Sequence, residues 1–95
     1  MSRSTQSGES ALALLEYPNR YPLKVLGNHT DEFEAIVLEL VRARIPQAEH
    51  IAIRRRSSKG GRYLALTLTF TVYSQQQLEE IYHDLYDCEA VVMTL

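Results

Sequence analysis

Cysteine is nearly absent from this chain. Cys88 stands alone, which excludes a disulfide scaffold and a cluster of thiolate metal ligands, and suits a reducing compartment such as the cytoplasm. Tryptophan is missing, and with only three prolines and four glycines the chain is neither collagen-like nor a low-complexity linker. Long apolar runs are missing too: none approaches the ~18 residues of a membrane span, and residues 11–15 are too short for the core of a signal peptide. No charge dominates, because ten Lys and Arg face twelve Asp and Glu for a net charge of -2, and overall charge therefore gives no reason to expect nucleic acid. What is present is 95 residues, 45% of them apolar, enough to bury one core and too few for two.

Residues 1–10 carry Ser, Thr, Gln, Gly and Glu with no apolar residue after Met1. We expect a flexible N-terminal tail over 1–13 and a single domain over 14–95. An extended segment over 20–26 places Leu23 and Val25 on one face and Lys24 on the other, with Pro22 pointing to a strand start or an edge. Thr30 or Asp31 is placed to cap a helix in which Phe33, Ile36, Val37, Leu40 and Val41 recur at helical spacing, and Pro46 ends it. The period then changes to two. Ile51 and Ile53 alternate with Ala52 and Arg54, a glycine-containing loop follows, and Leu64, Leu66, Leu68, Phe70 and Val72 alternate with Tyr63, Ala65, Thr67, Thr69, Thr71 and Tyr73. Ser74 and Gln77 form a capping box ahead of Leu78, Ile81, Tyr82 and Leu85, and a last strand over 89–95 turns Val91 and Met93 inward.

This order predicts an α+β fold: a ferredoxin-like βαββαβ sandwich, a four-stranded antiparallel sheet with two helices on one face. The other face stays open, and Tyr63, Ala65, Thr67, Thr69, Tyr73 and Val92 are the residues expected to make contacts there. Charge is unevenly spread. Arg54, Arg55, Arg56, Lys59 and Arg62 gather on the hairpin with Ser57, Ser58 and Gly60, while Glu79, Glu80, Asp84, Asp87 and Glu89 crowd the end of the chain. The plain reading is a solvated loop; the sharper one is an interaction hairpin for an anion, an acidic protein partner or a second copy.

RNA-recognition domains share this order of elements but stack bases on aromatics of the central strands. Gly61 stands where one ring would be, and residues 21–26 have no ring at their centre, so RNA binding is a distant alternative. His29, His50, His83 and Cys88 lie in no nucleophile motif, and Glu79, His83 and Asp87 lack a second His. Neither an enzyme nor a metal or other cofactor is expected.

Glu16-Tyr17-Pro18, Tyr21-Pro22-Leu23-Lys24-Val25-Leu26-Gly27, Ser57-Ser58-Lys59-Gly60 and Val92-Met93-Thr94-Leu95 together resemble the YbeD-like family of small bacterial proteins of unknown function. Gly61-Arg62 before Tyr63 departs from that pattern and lengthens the hairpin tip. The resemblance implies a fold similar to the ACT regulatory domains, and a link to lipoate metabolism through neighbouring genes in related bacteria. It also implies a ligand turn between first strand and first helix, here Gly27, Asn28, His29, Thr30 and Asp31. Two functions follow as expectations: a non-enzymatic regulatory or adaptor domain acting through protein contacts or self-association, and an ACT-type sensor of an amino-acid or fatty-acid-like effector.

Overall fold

In the computed structural model, residues 15–46, 48 and 50–95 are described; the tail expected over 1–13 lies outside the described residues. Six elements follow in the order β1 (Asn19–Asn28), α1 (Phe33–Arg44), β2 (Ala52–Ser57), β3 (Tyr63–Val72), α2 (Gln75–Tyr86) and β4 (Val91–Thr94). The strands form one antiparallel sheet in the order β2-β3-β1-β4, the ferredoxin-like arrangement. No helix among the described residues is long and apolar enough to cross a membrane.

β1 and β3 pair along their whole lengths, from Asn19 opposite Val72 to Asn28 opposite Tyr63. This long partner draws β1 past the segment expected from its own sequence. Pro22 consequently sits inside a central strand, yet β4 pairs only with Val25, Leu26 and Gly27, so that side of β1 is unpaired at Pro22. A residue with no N–H is tolerated there as on an edge.

Alternation sends Leu23 and Val25 of β1 and Leu64, Leu66, Leu68, Phe70 and Val72 of β3 under the helices, where nearly all are fully buried. The helices meet them with Phe33, Val37, Val41 and Ile45 from one side and Leu78, Ile81 and Leu85 from the other. The buried stripe of α1 thus advances by fours, and Ile36 and Leu40 flank it half-buried. Arg44, near the end of α1, grips α2 by donating from Nε and Nη2 to the two carboxylate oxygens of Asp84, at 2.7 and 3.0 Å.

Three details depart from the sequence expectation. Asp31 does not cap α1: Glu32 occupies the N-cap with helical backbone and no side-chain bond, and the Phe33 N–H reaches the Thr30 carbonyl at 3.4 Å. The box ahead of α2 forms on one side alone: Ser74 Oγ accepts from the Gln77 N–H at 3.2 Å, while Gln77 Oε1 accepts from the Tyr73 N–H at 2.9 Å rather than from that of Ser74. Met93 does not face the core. A bulge opposite Leu26 and Gly27 inserts one residue into β4, so Val91 opposes Gly27 while Met93 opposes Leu26 on the open face and is half-exposed.

Candidate functional site

The basic hairpin is two surfaces rather than one. β2 pairs Arg54 with Thr67, Arg55 with Leu66 and Arg56 with Ala65, so alternation turns Arg55 toward the helix layer and Arg54 and Arg56 onto the open face. Arg55 is already engaged: its Nε and Nη2 donate to Oε1 and Oε2 of Glu34 in the first turn of α1, the second at 2.8 Å. That contact holds the Glu34 carboxyl below the usual glutamate range.

Arg54 and Arg56 have no such partner among the described residues. Register brings Lys24 of β1 opposite Thr67 from the other side, so that Lys24 and Arg54 flank the same threonine. Together with Ala65, Thr67 and Leu95, Lys24, Arg54 and Arg56 border a shallow hollow of about 460 Å³ on the open face. All four strands are free of Asp and Glu, whereas α2 carries Glu79, Glu80 and Asp84. The sheet therefore presents a cationic face that the near-neutral composition conceals.

The expected ligand turn and the hairpin tip lie against each other. The His29 N–H donates to the Arg62 carbonyl at 3.0 Å, and His29 Nδ1 donates to the Gly61 carbonyl at 3.1 Å with Ser57 Oγ 3.4 Å away. The tip is closed by Ser58, whose N–H donates to the Tyr63 carbonyl and whose Oγ accepts from the Tyr63 N–H, both at 2.9 Å. Gly60 and Gly61 take φ of +87° and +77°, the left-handed region open to glycine. The two residues that depart from the YbeD-like pattern are thus those whose carbonyls hold His29. At the other end of the turn Gly27 is buried, and the space its side chain would need is filled by the Phe33 ring and the Ala90 carbonyl. Asn28, Thr30 and Asp31 are exposed, and none of residues 27–31 lines the cationic hollow.

A family described as "Protein of unknown function (DUF493)" matches residues 13–95. The chain belongs to the DUF493 family. A UPF0250 protein of Chromobacterium violaceum is 44% identical over 82 residues, 86% of this chain and 92% of that protein. One from Nitrosomonas europaea is 36% identical over 83 residues, 87% of this chain and 95% of the relative. The solution structure of protein HP0495 from H. pylori superposes with a TM-score of 0.71 at 20% identity, covering 85% of each chain, and supports the fold alone.

The remaining candidate residues of this DUF493 domain are spread out. Tyr63, Ala65, Thr67 and Thr69 lie along the half-buried open face of β3, Tyr73 follows β3 and is exposed, and Val92 is exposed at the bulge on β4. Lys59 and Arg62 are exposed at the tip. Sequence reasoning missed Lys24 as a member of the site, although the period of two that sets Leu23 and Val25 inward also turns Lys24 outward. A second hollow of about 350 Å³ between α2 and β4 is apolar, bordered by Tyr82, Leu85, Tyr86 and residues 91–94. Beneath it Tyr21 and Tyr82 share a 2.7 Å hydrogen bond, and burial, reinforced by that bond, pushes the Tyr82 hydroxyl upward. No cluster of His, Cys, Asp and Glu suited to a metal occurs among the described residues.

Proposed function

We propose that this DUF493 chain is a non-enzymatic adaptor or regulatory domain that docks an acidic protein partner on its open sheet face. The observation that carries the reading is the hollow bordered by Lys24, Arg54 and Arg56 on a sheet that contains no Asp or Glu. Three cations within a few strand widths, on strands that carry no Asp or Glu, attract carboxylates over a Debye length of ~10 Å. Thr67 supplies a hydroxyl between Lys24 and Arg54, and Ala65 leaves room for a group to settle.

The effector reading draws on the same chemistry at smaller scale, because a free carboxylate would meet the same cations. It is favoured by the concavity of the site and not by residues 27–31, where the Phe33 ring occupies the space beside Gly27.

Fluorescence anisotropy with a labelled glutamate-rich peptide tests the docking reading, with a single-stranded RNA of equal charge in parallel. Binding should weaken with salt, be lost when Lys24, Arg54 and Arg56 are all changed to Thr, and survive Arg42→Ala on α1. RNA binding without peptide binding, or a triple variant that binds as the parent does, overturns it. Octanoate, lipoate and amino acids are compared by thermal shift. A ligand at a hundred times its Kd adds ~2.7 kcal/mol, so a flat response removes the effector reading.

A further inference from the structure

The sheet has two edges, β2 and β4, and they are not equivalent. β4 is four residues long and bulged, both of which discourage an added strand. β2 has six residues, no proline and no bulge, and from Arg54 to Ser57 every side chain is exposed. Its free side can be read from the ladder. Ser58 donates to the Tyr63 carbonyl, so in an antiparallel pair the inward-bonding residues of β2 are Arg56, Arg54 and Ala52, and the amides and carbonyls of Ile53, Arg55 and Ser57 point away from the sheet.

We infer that the outer edge of β2 accepts an extended acidic segment of a protein partner as a fifth strand. The inference rests on the docking reading above and specifies its geometry. Charge selects the occupant. Two β2 edges of separate copies would set arginine against arginine, which is repulsive, whereas a strand with Glu or Asp at alternate positions would place carboxylates beside Arg54 and Arg56 on the open face. Those carboxylates stand ~7 Å apart along a strand, the same repeat as the two arginines. Arg55 is held on the opposite face by Glu34, so the added strand needs no charge there and can set apolar residues over Ile53, which is half-buried. Backbone pairing would supply affinity and alternate carboxylates the register, the division of labour found in strand addition generally.

The test uses the full chain and a labelled nine-residue peptide alternating Glu with Val. Three comparison peptides are a scrambled one of identical composition with the Glu residues adjacent, one alternating Lys with Val, and one N-methylated at alternate amides on the bonding side. Strand addition predicts that the alternating Glu peptide binds best, that N-methylation weakens it by about tenfold or more, and that the amides of Ile53, Arg55 and Ser57 gain protection from hydrogen exchange. Arg54→Glu combined with Arg56→Glu should transfer preference to the Lys peptide. Equal binding by the N-methylated and parent peptides, with no added protection in β2, overturns the strand-addition geometry while leaving acidic docking intact. Failure of every Glu peptide to bind at low salt overturns both.

Discussion

Gly27 illustrates how one missing side chain positions a turn. A Cβ there would lie 2.2 Å from two carbons of the Phe33 ring and 2.6 Å from the Ala90 carbonyl oxygen, which backbone cannot easily yield. Gly27→Ala should therefore destabilise the fold by ~1–3 kcal/mol, read as a lower urea midpoint at unchanged slope. The sequence showed that a glycine sat at the strand end, but not that a ring six residues later fills its place. At Asp84 the hydrogen bond from Arg44 holds the carboxyl below the ordinary aspartate value of 3.8. Its stabilising contribution is complete above that value and disappears as pH falls through the lowered folded value. Asp84→Asn should thus be less stable than the parent at neutral pH, and the gap should close on acidification; urea titrations across pH 2–7 check it. A gap independent of pH would remove the ion-pair explanation. The Arg54, Arg55 and Arg56 run teaches a related lesson. As a string it is one basic patch, and only the ladder shows that the middle residue is spent on Glu34 while its neighbours face outward.

Among the elements, β3 and α2 were the most legible because each carries two agreeing signals. The alternation over Tyr63–Val72 reappears as burial at every second residue, and Ser74 and Gln77 meet as a capping pair before an apolar stripe. Ser74→Ala should reduce stability by ~1 kcal/mol, since the Gln77 amide loses its acceptor, and Ser74→Asp should recover most of it. Thermal or chemical denaturation monitored by circular dichroism would show the order. α1 was less legible at its start, where Thr30, Asp31 and Glu34 all look like capping residues. Glu34 is instead drawn to Arg55 across the layer, and the first turn is closed by backbone. β4 was legible as a strand but not in its facing, because four residues with a bulge contain too little periodicity to phase.

At the level of the whole molecule, the strands carry cations and no Asp or Glu, whereas the helices carry both signs. A sheet face carrying Lys24, Arg54 and Arg56 repels itself, and added salt screens that repulsion along with the attractive pairs between helices. The parent chain should therefore gain more, or lose less, melting temperature between 20 and 500 mM sodium chloride than the variant with Lys24, Arg54 and Arg56 all changed to Thr. Calorimetry of the two chains side by side measures the difference, and parallel salt curves would show that the three cations do not feel one another. The exposed apolar side chains Tyr86, Val92 and Met93 lie together around β4, at the edge of the sheet opposite β2 with its arginines.

The sheet order also carries a consequence for synthesis. β1 is the first of the described strands to be made, yet its long partner is β3, and between Asn28 and Tyr63 lie a whole helix, a strand and the hairpin tip. While the chain is being made, β1 waits without its ladder partner until β3 has emerged, because β4, its other neighbour among the described strands, comes later still. A hairpin of β2 and β3 can form locally in the meantime, and β1 then docks onto its free side. During that interval Leu23, Val25 and Leu26 lack the partners that cover them in the folded sheet, and aggregation competes with folding.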